Sequence, residues 1–345
     1  MATEELHVTT DVMSSGSRRG FLRASLTGLA ALATVPVLGG LAGCQQSPSR
    51  KGPSQQGQGS AQAVGAPTAS KTALATEKLT DRVTLVTGAP GNLVALSSTD
   101  GVLLVDSGSS QFAKGVRASL GGAQVRTLFN THYHADQTGG NELFGKAGAE
   151  IHAHEITRQW LATDYYVPSE DRWVKALPKA AWPTKTFRDK GEMRSGAESV
   201  EYGYLLEAHT RGDIYVFFRD SNVLAVGDVA SPLRDPALDW YAGGWLGGRV
   251  DAMDDLLKLA NDQTKIVPSY GPMMTRAQLQ AERDMMAHLY DRTTELTDHG
   301  RSAQDMLDAG VLKEVPRRFD DPYRFLYDVS KGNWAHYTNF GGNVV

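Results

Sequence analysis

The stretch THYHADQTGGN, residues 131–141, sets His132, His134 and Asp136 on alternate positions. In extended chain, residues i, i+2 and i+4 point the same way, so these three are expected to converge from one short segment. Two imidazoles and a carboxylate suit Zn²⁺, or Fe²⁺ in a 2-His-1-carboxylate arrangement. Gln137 stands where a fourth metal-binding side chain is expected, and a neutral amide binds transition metals far more weakly than imidazole. A second H-x-H, His152 and His154, also falls at strand spacing and reads as support or packing.

The elements that must position these residues are legible from residue 82 onward. RVTLVTG, NLVALSS and GVLLVDSG are short β-rich runs parted by Gly, Pro, Asn and Asp turns. SQFAKGVRASL reads as helix, and QVRTLFNT as a buried strand that delivers 131–141 into a loop. AEIHAH is strand, and EITRQWL is helix. Residues 163–198 have no clean period and carry Tyr165, Tyr166, Trp173 and Trp182. Strands resume at VEYGYLLEA, DIYVFF and NVLAVGD, then RVDAMDDLLKLAND is amphipathic helix. TKIVPSYG is strand then loop, and TRAQLQAERDMMAHLYDRTTELTDHG is a long helix ending at glycine, followed by a shorter helical tail. Two batches of strands, each followed by helix, predict a layered α/β fold with two sheets inside and helices outside.

Five elements in order extend the metal motif: VDSG with Asp106, THYHADQTGGN, EAHTRGD with His209, LAVGD with Asp228, and IVPSYGP. This series resembles the metallo-β-lactamase fold superfamily, whose pattern is H-x-H-x-D-H, then His, then Asp, then a final His. The resemblance implies an αββα sandwich of two mixed β-sheets flanked by helices. It implies one metal site of His132, His134 and His209, and a second holding Asp136, with Asp228 bridging. Asp106 and His154 are implied as supporting residues. The sequence departs from the pattern at Gln137 and at Tyr270, both at the second metal position. The expectation is therefore one Zn²⁺, with two Zn²⁺ or Fe²⁺ as the alternatives, and with Gln137 and Tyr270 facing substrate. Three neutral histidines leave a fourth position for water, whose pKa Zn²⁺ can lower to about 7. Asp136 is expected to orient that nucleophile or move its proton, and Tyr270 to donate a hydrogen bond to the leaving group or oxyanion. His336, in NWAHYTNF, is the first candidate for a replacement ligand.

The implied activity is hydrolysis of an ester, lactone, amide or lactam in a small-molecule substrate. The alternatives are an iron sulfur-dioxygenase-like oxidoreductase using His132, His209 and Asp228, and a binding protein with a weakened site. Aromatics of 160–182 and DWYAGGWLGG (239–248) can roof an apolar pocket. GNELFGK nearly matches a P-loop, but Ala147 follows it, and no G-x-S-x-G elbow occurs.

A formal charge of −4 with no basic block after the first quarter argues against a nucleic-acid partner. The one cysteine, Cys44, excludes an intrachain disulfide and a cysteine zinc cluster. SRRGFLRAS is a twin-arginine element, followed by an apolar run shorter than the roughly 20 residues of a spanning helix. LAGC resembles a lipobox, which implies lipidation of Cys44, export, and anchoring to a membrane outside the cytoplasm. The expected organisation is signal peptide 1–43, flexible Gln/Ser/Gly/Pro-rich tether 44–78, and a catalytic domain 79–345.

Overall fold

The structure, a computed structural model, describes residues 74–168 and 170–337. The expected twin-arginine signal, the lipidation at Cys44 and most of the tether lie outside the described residues. Six strands open the fold: β1 (Ala75–Lys78), β2 (Val83–Thr87), β3 (Leu93–Ser98), β4 (Gly101–Val105), β5 (Val125–Phe129) and β6 (Glu150–His154). The hairpin β7 (Tyr165–Val167) and β8 (Arg172–Val174) follows. Then β9 (Lys185–Phe187) joins the edge of the first sheet, whose order is β1-β2-β3-β4-β5-β6-β9. The second sheet runs in sequence order through β10 (Lys190–Ser195), β11 (Glu198–Tyr204), β12 (Ile214–Phe218), β13 (Val223–Gly227) and β14 (Lys265–Pro268). The pairings β4–β5, β5–β6, β6–β9 and β13–β14 are parallel, and both sheets are therefore mixed.

Helices α1 (Ala113–Ser119), α2 (Ala135–Thr138), α3 (Asn141–Lys146) and α4 (Glu155–Ala162) connect the first sheet. Helices α5 (Leu246–Leu259), α6 (Arg276–Asp298), α7 (Ala303–Asp308) and α8 (Pro322–Tyr337) cover the second. Alternation along the strands builds the layers. Val94, Leu96, Leu103 and Val105 point toward the second sheet and meet Ile214, Val216, Phe218, Val223 and Ala225. Their neighbours Leu93, Ala95, Val102 and Leu104 pack on Val116 of α1 and Phe144 of α3. Tyr215, Phe217, Leu224 and Val226 pack outward on α5 and α6. Central strands buried on both faces read as unbroken apolar runs, which is why GVLLV and IYVFF lack a polar face. The expected αββα sandwich is the observed architecture.

Two expectations need correction. The tether does not extend to residue 78, because Ala75–Lys78 pairs with Thr84–Thr87 as β1. The 163–198 region is not one irregular insertion, because it holds β7, β8, β9 and the whole of β10. The long helix α6 begins as its sequence suggests. Thr275 caps it, and the Gln278 side chain returns the bond to the Thr275 backbone.

Candidate metal centre

Asp106 follows β4, His132 follows β5, Asp228 follows β13, Tyr270 follows β14, and His209 lies between β11 and β12. The centre therefore sits at the carboxyl ends of the parallel strands, where open α/β sheets bind ligands. His132 Nε2 and His209 Nε2 each lie 3.2 Å from His134 Nδ1. Asp228 Oδ2 lies 3.7 Å from His132 Nε2 and 3.6 Å from His209 Nε2. Two Zn–N bonds at a tetrahedral angle set their nitrogens about 3.3 Å apart. The four ligand atoms, all within 4.8 Å of one another, fit a divalent ion.

The outer ring nitrogens fix the lone pairs inward. His134 Nε2 lies 2.7 Å from Asp239 Oδ2, and His209 Nδ1 lies 2.9 Å from the Ala237 carbonyl. Both partners are pure acceptors, so both outer nitrogens carry the proton. His132 Nδ1 faces Thr131 Oγ1 at 3.1 Å, and that hydroxyl donates its own proton to Asp106 Oδ2 at 2.8 Å. Asp106 thus selects the His132 tautomer through Thr131. Burial pushes Asp106 up to about 8, against bonds from the Thr131 amide and hydroxyl. A nearby divalent cation favours its ionised form. Burial and the two neighbouring histidines hold His132 well below its usual range, keeping it neutral for ligation. Burial would push His134 down as well, but the Asp239 carboxylate raises it to about 9.

The His209 loop is held from below. Asp213, buried, accepts the amides of His209 (2.6 Å) and Thr210 (2.7 Å) and the Thr210 hydroxyl (2.9 Å). From above, a Cβ on Gly244 would lie 2.0 Å from the His209 carbonyl oxygen. Gly244→Ala is therefore expected to cost about 1–3 kcal/mol of stability and to weaken metal retention, measured by denaturant unfolding with and without metal.

Asp136 stands outside the four converging ligands. The chain does not stay extended past His134. The amides of Gln137 (3.0 Å) and Thr138 (2.9 Å) turn back to the His134 carbonyl and open α2. Asp136 instead accepts a hydrogen bond from the Tyr270 hydroxyl. Successive residues on a helix diverge by about 100°, so Gln137 faces elsewhere. It is fully buried against Gly91 and Ser269, with both amide atoms lacking a protein partner, and does not face a substrate space.

His154 caps α4 through the Ile156 amide and stacks on Tyr204, apart from the four ligands. His152 packs against Phe129 and Tyr202. His336 is no replacement ligand: it bonds Glu207 at 3.1 Å and stacks on Trp245. Aromatics do wall one side. Tyr133 stacks on Trp160, Tyr165 meets both edge-on, and Tyr241 joins them. Trp173 instead lies largely exposed and pairs with Tyr166.

Sequence reasoning missed Asp239, Arg234 and Arg249. Asp239 takes His134 and the Tyr133 hydroxyl (2.5 Å) on one oxygen, yet in sequence it reads only as the start of an aromatic run. Arg234 lies over the Tyr270 ring, 3.6 Å from its centroid. Fully buried Arg249 donates to Ala237, the same carbonyl that holds His209.

Comparison with known proteins agrees with this geometry. Residues 86–270 match the Metallo-beta-lactamase superfamily, Lactamase_B. A metallo-beta-lactamase type 2 of Bacillus cereus is 21% identical over 202 residues, covering 57% of this chain and 73% of that protein. The 2,4-dinitroanisole O-demethylase subunit alpha of Nocardioides sp. (strain JS1661) is 23% identical over 262 residues, 72% of this chain and 73% of its own. Among solved structures, a metallo-beta-lactamase from Pontibacter korlensis superposes with a TM-score of 0.52 at 19% identity, over 62% of this chain and 99% of that one. The inverting sec-alkylsulfatase Pisa1 from Pseudomonas sp. gives 0.57 at 16% identity, over 77% of this chain and half of the other. The chain belongs to the metallo-beta-lactamase superfamily.

Proposed function

We propose that the protein is a hydrolase that holds one Zn²⁺ and cleaves an ester, lactone, amide or lactam bond in a small molecule. One observation carries this reading: three imidazole nitrogens converge beside Asp228, with each outer N–H bonded away. A bound divalent metal supplies Lewis acidity, polarising the scissile group and acidifying a water. The residues of the chain do the remainder. His132, His134 and His209 bind the ion, and Asp228 offsets its charge. Asp136 Oδ2 holds the Tyr270 hydroxyl in place, and the same carboxylate is available to take a proton from the attacking water. Once it carries that proton, Asp136 can donate to the Tyr270 oxygen, which frees the single phenolic proton for the oxygen that gains charge as the bond breaks. The wall of Tyr133, Trp160, Tyr165 and Tyr241 excludes water from that side.

A single ion is supported by what fills the second position. Tyr270 is engaged with Asp136, and Gln137 turns its amide away. Elemental analysis is expected to find one zinc per chain, and two in the Gln137→His, Tyr270→His double variant. Hydrolysis of para-nitrophenyl esters should vanish with chelator and return with Zn²⁺. Two zincs in the unaltered chain would sink the mononuclear reading. Iron with oxygen-dependent thiol consumption would make the protein an oxidoreductase, and a chain that retains no metal would make it a binding protein.

A further inference from the structure

Arg234 is exposed at the rim of the centre, and among the described residues it forms no ion pair. An unpaired surface arginine is ordinarily mobile and solvated. This one is held at both ends. Its side chain lies over the Tyr270 ring, and its guanidinium N–H groups make no hydrogen bond among the described residues. Its backbone belongs to a loop fixed from behind. The Ser231 amide donates to Glu282 Oε1 at 2.8 Å, and Arg249 Nη2 donates to Ser231 Oγ at 2.7 Å. Arg317 donates to the carbonyls of Ser231 and Arg234 itself. Asp235 accepts the amides of Asp320 and Asp321 at 3.0 and 2.8 Å. The buried Arg249 closes the far side at the Ala237 carbonyl, 3.1 Å away. A rigid loop presents a cation that makes no ion pair among the described residues, next to the Tyr270–Asp136 pair at the place the family pattern gives to a second metal, and its charge favours the ionised form of Asp136.

A second metal in such a place would contribute positive charge facing the substrate. Here Arg234, seated on the Tyr270 ring, supplies it from the chain. We propose that Arg234, carried on the Tyr270 ring, takes the place of a second metal ion and binds an oxyanion borne by the substrate. The substrates are therefore anions, with a carboxylate, sulfate or phosphate placed a few ångströms from the scissile bond. The planar fork of guanidinium N–H groups matches two oxygens of such a group. This inference rests on the hydrolase reading for its substrate, but not for its binding test.

The test uses the metal-loaded full chain and two probes, inorganic phosphate and acetate, titrated by calorimetry. Part of the binding comes from the metal, so the comparison is with Arg234→Gln at equal metal content. Affinity for both anions is expected to fall about tenfold, the scale of one charge-assisted contact. Arg234→Lys should recover part of it, since the charge returns without the fork. Tyr270→Phe keeps the ring and should keep anion affinity, whereas Tyr270→Leu should weaken it several-fold. Equal affinity in the wild type and Arg234→Gln overturns the proposal. A fall for phosphate alone assigns the site to tetrahedral oxyanions, and an equal fall for both assigns it to carboxylates as well. In hydrolysis, the ratio of kcat/KM for the para-nitrophenyl monoester of glutaric acid to that for para-nitrophenyl butyrate should fall about tenfold in Arg234→Gln. Failure to hydrolyse either ester overturns the hydrolase reading, and the calorimetric result still decides the anion site.

Discussion

His209→Asn is expected to leave the fold in place and to lower hydrolysis at least about a thousandfold, with loss of tightly held metal. The substitution separates two jobs of one side chain. His209 Nδ1 ties the loop to the Ala237 carbonyl at 2.9 Å, and Nε2 faces the centre. The amide nitrogen of asparagine falls where Nδ1 lies, so the tie to Ala237 persists. Nothing then reaches the position of Nε2. The backbone of residue 209 stays pinned by Asp213 and by the close approach of Gly244. A stability cost of about 1–2 kcal/mol is expected from the small void. Unchanged far-UV circular dichroism, with metal content below a tenth of an equivalent after dialysis, is the expected pair of readings. Full metal retention would mean that the three-histidine arrangement is not the binding site.

The contrast between residues found and missed in the sequence has a physical basis. His132 and His134 are two residues apart at the end of one strand, so local chain geometry brings them together. His209 precedes β12 and Asp228 follows β13, strands whose burial makes them plain apolar runs. Asp239 meets His134 across 105 positions of sequence, through a loop with no regular period. Gly244 in that loop and Gly248 in the first turn of α5 let the segment press on the backbone at His209 and Glu207. Arg249 reads as one charge within an amphipathic helix, and its burial depends on the Ser231 loop folding over it. β1 was hidden for the opposite reason. All four of its residues are exposed, so backbone pairing alone marks it, next to low-complexity sequence. The H-x-H-x-D spacing suggests continuous strand and so a convergent Asp136, whereas α2 starts one residue after His134; the expected orientation of Gln137 comes from the family pattern and not from spacing.

Asp239→Asn is expected to weaken metal binding about 10–100-fold at pH 9, the usual scale for a partner behind a metal-bound histidine. The loss should shrink as the pH falls toward 7. In the metal-free chain, His134 is raised to about 9 because Asp239 favours its charged form. Its extra proton occupies Nδ1, facing the Nε2 atoms of His132 and His209 at 3.2 Å, where a metal would otherwise bind. Metal must displace that proton, so apparent affinity in the wild type climbs about tenfold per pH unit from 7 to 9 and then levels. Asparagine removes the carboxylate, and burial then holds His134 down, so the variant gains little over the same range. The wild type therefore gives up most of its advantage at pH 7. The same pair sets a stability slope in the metal-free protein. A histidine raised when folded stabilises fully below its unfolded value near 6.5, and that contribution is lost as pH rises through about 9. Asp239, held far below the ordinary carboxylate range chiefly by His134 against its burial, adds stability above about 4 that is lost in acid. Metal titrations of both proteins at pH 7, 8 and 9 test the argument. Parallel affinity curves would show that Asp239 acts by position alone, without setting the proton that competes with the metal.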